Sequence, residues 1–538
     1  MKTKNLFFSI LIIFLGALQA CKQDDDLLLA STSTESVSTQ TVSMPAGFIA
    51  APVCEPSGSG AVFEVGPGKA YENIIDVPFE NLGPGDVVKI YAKPDPYYER
   101  IILTTARGTA GNPVCICGVP DGNGNLPVLD GTNAAVRPVN VNTYFNDITA
   151  YLGVIVIANE WDNHPEHIQV KNLIIQGAHQ YSNDGNQKYK VMGTSTLEPY
   201  SPGAAGIWMR GTDIEVSNCI IQENGNGVFG AYNGPENPLT NVKLYNNVIR
   251  NNGTYGGYRH HNVYLEADSL IVKGNLIGPI RDGSLGINLK SRSAGEVVMY
   301  NKLQGPASRH FDFVESQNGY DWLAQKASFR RTIVAGNIVV GVEGGAGNIL
   351  HYGGDGDNTT PSDDLRQGTI YAYNNTFLLR GYYLTGDPDA VWRQSFTDLN
   401  TCNEKLYAFN NIWAYHNPRP DETSDTNITI FRYRGVVDHF SHNLVAKATN
   451  AWYNDKTDGD PCLQGYDFAT LQAAMASNSD LSFVDLDNDD LHLAAGSVAI
   501  DAGVTVPVGL PAIDHQFVMP NSLEERHGCS LDIGAYEL

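Results

Sequence analysis

Tyr264 and Glu266, Lys290 and Arg292, and His310 and Asp312 form three pairs spaced i, i+2 in the middle of this chain. Such a pair lies on one face of a β-strand, because side chains alternate across the backbone. Arg309, His261 and Glu315 stand at the edges of the set. A lysine beside arginines, with a phenol and an imidazole in reach, has the parts needed to neutralise a carboxylate, withdraw the proton on the adjacent carbon and protonate a leaving oxygen. In that reading Lys290 is the base, its pKa lowered by Arg292 and partly restored by Glu266. Arg292 and Arg309 clamp the carboxylate, and Tyr264 or His261 delivers the proton. Hydrolysis is a second chemistry for the same residues. Glu266 and Asp312, two strands apart, would stand ~9–10 Å from each other, which suits an inverting pair of carboxyl groups and not a retaining one. Lys290 and Arg292 between them would hold both carboxylates ionised and leave no proton donor. Binding without catalysis is a third outcome, and a solvated sheet face with ion pairs of ~0.2–1 kcal/mol each is the structural alternative. Against that alternative, only 17% of the chain is charged, yet these groups fall together.

The elements that position these residues are legible in a repeat. The segments VKNLII, VSNCII, LYNNVI, VKGNLI, VMYNKL, VAGNIV, AYNNTF, AFNNIW and SHNLV place an asparagine among β-branched or aromatic residues. The aligned residues are Asn172, Asn218, Asn247, Asn275, Asn301, Asn337, Asn375, Asn411 and Asn443, at intervals of 46, 29, 28, 26, 36, 38, 36 and 32. Each interval fits one solenoid coil with a variable loop, and the first fits two coils. Short strands between Asn and Gly turns, without helical periodicity, predict an all-β parallel β-helix in which like residues stack on successive coils. The ladder of asparagines is then structural. A β-propeller fits less well, since each unit has room for two or three strands rather than four. Tyr264 and Lys290 each lie 11 residues before a ladder asparagine, and Glu266 and Arg292 each lie 9 before. Lys290 should therefore stack on Tyr264, and Arg292 on Glu266. Val263, Leu265, Leu289, Phe311 and Phe313 should face the core, leaving Tyr264, Glu266, Lys290, Arg292, His310 and Asp312 as a ribbon facing solvent.

Lys+Arg number 35 and Asp+Glu 59, for a net charge of −24. Nucleic acid is thereby excluded as a partner, because phosphate binding needs clustered cations. With 42% hydrophobic residues and 54 glycines the chain has material for a large core. Residues 6–18 are mostly apolar behind Lys2 and Lys4, too short for a ~30 Å hydrocarbon layer and suited to an export signal. Leu18-Gln19-Ala20-Cys21 resembles the lipobox of bacterial lipoproteins, which implies a lipid on Cys21 and a membrane as partner. Asp24-Asp25-Asp26 is similar to the acidic signal that directs some lipoproteins to the outer face of the outer membrane. Residues 27–52 have a tether's composition, and folding is expected to start near Gly60. Cys54, Cys115, Cys117, Cys219, Cys402, Cys462 and Cys529 show no paired CxxC spacing, which argues against zinc. Cys402 and Cys462 could form a disulfide or be buried as small hydrophobes. No cofactor is indicated. Asp355-Gly356-Asp357-Asn358 and Asp363-Asp364 offer oxygen ligands for Ca²⁺ but lack the twelve-residue loop and its closing Glu, so a solvated loop is expected.

Residues 64–134 look like the opening cap and first coils of secreted right-handed parallel β-helix proteins of the pectate-lyase-like superfamily. Residues 206–315, with GIWMRG, ENGNGVFG, HNVYLEA, NLKSRSAGEVVMYN and RHFDFVES, resemble a bacterial β-helix family of polysaccharide-degrading type. LHLAAGSVAIDAG and DIGAYEL resemble the closing segment of such proteins. A lysine on one coil followed by an arginine on the next, here Lys290 and Arg309, is similar to alginate and chondroitin lyases of the β-helix type. The resemblance implies a signal peptide over 1–20, a lipidated tether over 21–58, a β-helix over 59–450 and a capping segment over 451–538. It also implies a monomer at the cell surface acting on an anionic, uronate-containing polysaccharide. Glu266, His310, Asp312 and Glu315 would line the substrate, and Trp208, Phe229, Tyr232 and Tyr258 border the ribbon where they could stack on sugar rings.

Overall fold

The computed structural model describes residues 44–137, 151–158, 164–179, 188–191, 196–342, 348–355, 364–380, 395–416, 429–433, 435–446, 450–452, 481–528 and 530–538. Cys21, Asp24, Asp25, Asp26, Asp357, Asn358, Asp363 and Cys462 lie outside the described residues.

A coil is built from three strands. Gly211–Ser217, Ile220–Gln222 and Asn226–Ala231 make one turn, and the next turn repeats them as Leu239–Tyr245, Val248–Arg250 and Val263–Glu266. Equivalent strands pair in parallel, giving sheets of 12, 11 and 10 strands among the described residues. The result is an all-β parallel β-helix, wound in the right-handed sense that parallel crossovers take. Its interior is made of stacked rows. Ile214, Val242 and Leu270 form one row and Val263, Leu289, Phe311 and Leu350 another, all fully buried. Each such side chain stabilises the fold by about 1.5–3 kcal/mol.

The corner between the first sheet and the 10-stranded sheet explains the asparagine motif. Asn218, Asn246, Gly274, Tyr300, Gly336, Asn374, Asn410 and His442 occupy the left-handed region there, where Asn and Gly are least penalised. The following residue carries the ladder. Nδ2 of Asn247 donates to Oδ1 of Asn275 at 2.9 Å, Asn275 to Asn301 at 2.9 Å, and Asn301 to Asn337 at 2.9 Å. Asn375, Asn411 and Asn443 continue it. Each Oδ1 also accepts the backbone N–H of the preceding ladder asparagine, as Asn301 does from Asn275 at 2.9 Å.

Three expectations need correction here. Asn172 and Asn218 are left-handed turn residues, one position before the ladder, and Cys219 holds the ladder position, its N–H donating to Asn247 at 3.0 Å. The freed amides bind the N-terminal segment, Asn172 at Ala51 and Asn218 at Ile49. Second, the 46-residue interval is one coil, because Glu166–Lys171 pairs directly with Gly211–Ser217. The added length includes Lys188–Val191 and Leu197–Pro199, which pair antiparallel. Third, residues 44–54 are docked along the turns rather than free.

The C-terminal segment, from residue 481 onward, lies along a flank. Leu491, Leu493, Phe517, Ile533 and Tyr536 cover Ile220, Val248, Leu276, Ile338, Leu378 and Ile412 on the outside of the 10-stranded sheet. Contacts run from Asn410, which accepts from Gly534, back to Asn246, which accepts from Asn521. Asn521 also binds Ile49, so the two terminal segments meet. Cys54 and Cys115 form a disulfide that the spacing did not reveal, since residue 54 reaches the first coils only by running along the flank. Cys402 is also disulfide-bonded, while Cys117 and Cys219 are buried thiols.

Candidate active site

The outer face of the 11-stranded sheet carries one column of residues in register. Trp208, Phe229, Tyr264, Lys290, Asp312, His351 and Asp398 follow one another on consecutive coils. The column changes from aromatic to ionic at Lys290, as the stacking of Lys290 on Tyr264 requires. Phe229 lies 5.2 Å from Tyr264 and 6.0 Å from Trp208 between ring centroids.

Around Lys290 the ionic groups close into a network. Its Nζ donates to Oδ2 of Asp312 at 2.8 Å and to Oδ2 of Asp355 at 2.7 Å. Arg292 donates through Nη2 to the same oxygen of Asp355 at 2.9 Å, and through Nε to the Tyr264 hydroxyl at 2.9 Å. Its Nη1 reaches the Glu315 carbonyl at 2.6 Å and lies 3.0 Å from Glu315 Oε1. Arg309 donates to Oδ1 of Asp312 at 2.8 Å and stands 3.6 Å from Asp355. His351 Nδ1 is 2.7 Å from Oδ1 of Asp312. Three cations therefore converge on the carboxylate of Asp355, with Asp312 beneath them as counter-ion.

The ribbon expected to face solvent is buried, except for the half-buried Tyr264. The Lys290 side chain is 9% exposed, Arg292 6% and Asp312 0%. Alternation along the strand gives the face of the sheet correctly but says nothing of the loops that cover it. Here Glu315 and Asp355, from the segments after Phe311–Phe313 and Asn348–Tyr352, lie over the cations.

Burial also reverses the expected state of Lys290. Desolvation alone would lower its pKa, but Asp312 and Asp355 outweigh both desolvation and the opposing Arg292, and the ammonium ends well above its ordinary value. Lys290 is thus held protonated. Burial would raise Asp312, yet Lys290, Arg309 and His351 hold it well below the usual carboxylate range. Asp355 is likewise opposed by burial and by Asp312, but Lys290, Arg292 and Arg309 bring it to about 2. His261 is fully neutral at working pH, since burial and the adjacent Lys290 push it well below its ordinary value. Its Nδ1 accepts the N–H of Ile287 at 3.0 Å, which leaves the proton on Nε2, and its ring meets that of Tyr264 edge-on at 5.4 Å.

Glu266 and His310 are occupied elsewhere. Glu266 accepts from Ser316 Oγ at 2.7 Å and from the N–H groups of Gln317, Asn318 and Gly319 at 2.7, 2.9 and 2.8 Å. Four donors fill what a carboxylate can accept, so Glu266, in register beneath Arg292 as the spacing predicts, folds the loop at 316–319 instead of facing a substrate. Both oxygens of Asp312 are likewise taken, by Lys290, Arg309 and His351, so neither carboxylate of the pair considered for hydrolysis is without hydrogen-bond partners. His310 belongs to a second polar ladder at the corner before this sheet. Asn224, Asn252, Asn262 and Asn288 pass amide hydrogen bonds along at 3.1, 3.0 and 2.8 Å, and Asn288 Nδ2 lies 3.0 Å from His310 Nδ1. Burial pushes His310 down to about 4.

Asp355, His351 and Arg366 were not singled out as site residues in the sequence, although Asp355 stood in the Ca²⁺ candidate. Their coils are separated by long loops, so spacing alone could not place them beside Lys290. Arg366 is fully buried. It donates to the carbonyls of Ser291 at 3.1 Å, Ser293 at 2.6 Å and Val314 at 2.8 Å, and to Glu296 at 3.0 Å. It therefore fixes the backbone on which Lys290 and Arg292 stand. Asp312, His351 and Asp355 bring three ligand atoms within 4.8 Å of one another. Lys290 and Arg309 already bind those carboxylates, a donor set that suits cationic side chains rather than the six to eight oxygens of Ca²⁺.

No protein-family model and no curated protein matches this chain. Among solved structures it is similar to pectate lyase Pel9A, at 13% identity over 90% of this chain and 97% of that one, with a TM-score of 0.42. It is also similar to a mannuronic acid specific polysaccharide family 6 lyase from human gut microbiota, at 12% identity over 78% and 91%, TM-score 0.40. An alginate lyase from Paenibacillus sp. strain FPU-7 is similar at 13% identity over 67% and 95%, TM-score 0.31.

Proposed function

We propose that the protein is a polysaccharide lyase that cleaves a uronate-containing glycan by β-elimination. The observation that carries this reading is the convergence of Lys290, Arg292 and Arg309 on one carboxylate. A uronate carboxylate held by those three cations loses the charge that opposes removal of the C5 proton, which is the first requirement of the reaction. A base then takes that proton, the C4–C5 double bond forms, the C4–O4 bond breaks, and the leaving oxygen receives a proton. Lys290, held protonated, serves as a clamp. Tyr264 is the proton-moving group: its oxygen, which accepts from Arg292 at 2.9 Å, takes the C5 proton as the phenolate and thereby becomes the phenol. The same phenol can return the proton to O4, with neutral His261 beside it.

The test is a panel of uronate-containing and neutral polysaccharides, followed by ultraviolet absorbance of unsaturated ends and by reducing ends. Absorbance rising with cleavage is the expected result. Reducing ends alone would mean hydrolysis, and retention without cleavage a binding protein. Tyr264→Phe should lower kcat by ~10²–10⁴ while substrate binding persists.

We also propose that the chain is a lipoprotein of the outer membrane, anchored at Cys21 and exposed at the cell surface. Cys21→Ala should then leave unprocessed precursor without acyl chains to hold the mature protein. A mature-length Cys21→Ala protein that stays in the membrane would refute the anchor.

A further inference from the structure

We infer that the uronate bound by Lys290, Arg292 and Arg309 belongs to a mixed glycan, in which the next sugar on the side of the preceding coils is uncharged. The inference rests on the lyase reading above and names the substrate class for that site.

Successive coils are ~4.8 Å apart, close to the length of one sugar in an extended chain. A glycan lying along the outer face of the 11-stranded sheet thus meets about one coil per sugar. A homopolyuronate would present a carboxylate to every coil and need a cation on each. The column offers something else. Before Lys290 come Tyr264 and Phe229, both half-buried, with ring centroids 5.2 Å apart. The short helix Tyr320–Leu323, which follows the loop held by Glu266, presents Trp322 and Tyr320, 38% and 41% exposed, with Trp322 6.3 Å from Tyr232 at the end of the Phe229 strand. Rings of this kind carry the apolar faces of neutral sugars and repay no charge. On that side of the column Arg210 lies over the Trp208 ring at 5.1 Å, with Nε on the Ala231 carbonyl at 3.2 Å.

On the other side of Lys290 the column continues with Asp312, His351 and Asp398. Asp398 accepts from Asn348 at 2.7 Å and lies near enough to Arg309 to raise its pKa, so its charge is shared with the same cation cluster. The whole chain points the same way. At a net charge of −24 its field repels a densely charged polyanion, so a carboxylate must be read by a local cluster of cations, one at a time. A polymer that alternates uronate with neutral hexose, deoxyhexose or N-acetylhexosamine satisfies both the cluster and the aromatic tract.

The experiment compares kcat/KM on polygalacturonate, polymannuronate and polyguluronate with that on a rhamnogalacturonan I backbone and on hyaluronan. At least a tenfold preference for one of the mixed polymers is expected. On it, Phe229→Leu and Trp322→Ala, each checked for native circular dichroism, should raise KM three- to tenfold, and added salt should leave that ratio unchanged. Equal or better turnover of a homopolyuronate overturns the inference while the lyase reading stands. So does an unchanged KM in both aromatic variants. Absence of unsaturated product from every polymer refutes the lyase reading and this inference with it.

Discussion

Lys290 donates to Asp312 at 2.8 Å from the next coil of the same column, and both side chains are almost wholly removed from water. Removing one partner of such a pair leaves an uncompensated buried charge, which costs about 3–5 kcal/mol. Arg309 and His351 remain beside Asp312, so the lower end applies. Lys290→Ala should therefore lower the unfolding free energy by about 3 kcal/mol, measured by urea denaturation. Its kinetic signature separates two roles. As a clamp Lys290 contributes mainly to KM, which should rise tenfold or more on a uronate substrate. A ~10²–10⁴ drop in kcat at unchanged KM would instead restore it as the base.

The ladder provides a second test. Asn301 donates to Asn337, Val272 and Met299 and accepts from Asn275. Asn301→Leu leaves several buried groups without partners and should destabilise by about 1–3 kcal/mol. Specific activity per folded molecule should not change, because the residue lies at the corner away from Lys290. Loss of activity at full folding would mean that the ladder reaches the site.

How much of this was legible depends on loop length. Between Asn247 and Asn301 the coils are 28 and 26 residues, so counting back from an asparagine placed Lys290 on Tyr264 correctly. After Asn301 the spacing grows to 36 and 38, and the positions of His351 and Asp355 were lost with it. The apolar alternation of Val263, Leu265, Leu289, Phe311 and Phe313 gave the core face. It could not show that Glu315 and Asp355 cover the outer face, nor that Glu266 would be spent on four donors. Asn252, Asn262 and Asn288 were readable as a second ladder, but the nine residues inserted between Asn252 and Asn262 break the period. Asn172 and Asn218 misled because both turn positions favour asparagine.

His310 makes acid stability a further measurement. Its folded pKa of about 4 lies below the ordinary value of 6.5. As pH falls through 6.5 the unfolded chain takes up a proton that the folded protein refuses. The stabilisation is therefore full above pH 6.5 and declines as pH falls toward 4, by about 3 kcal/mol in total. His260 and His261 are shifted the same way and add to the loss. Asp312 and Asp355, shifted down, keep their contribution through this window and lose it only at lower pH. His310→Asn preserves an acceptor for Asn288 and should flatten part of the decline between pH 7.5 and 4.5. An unchanged slope in urea titrations at those two values would show that His310 does not titrate as its burial requires.

Asp355 supplies the last prediction. Its carboxylate sits on the three cations that the proposed uronate requires, so protein and substrate compete for one position. Because Lys290, Arg292 and Arg309 hold its pKa near 2, it stays ionised from pH 4 upward and the competition does not vary across the working range. Asp355→Asn removes the competing charge while keeping the side chain's size. KM for a uronate-containing glycan should fall several-fold, and the gain should shrink as salt screens the exposed cradle. Lys290 would be less strongly held in the variant, yet Asp312 still pairs with it, so folding should persist. Glu315→Gln is the control, since Glu315 touches Arg292 at 3.0 Å but does not meet Lys290 or Arg309; its effect on KM should be smaller. Should Asp355→Asn raise KM instead, Asp355 would be part of the substrate's binding surface, and the cradle would have to be sought without it.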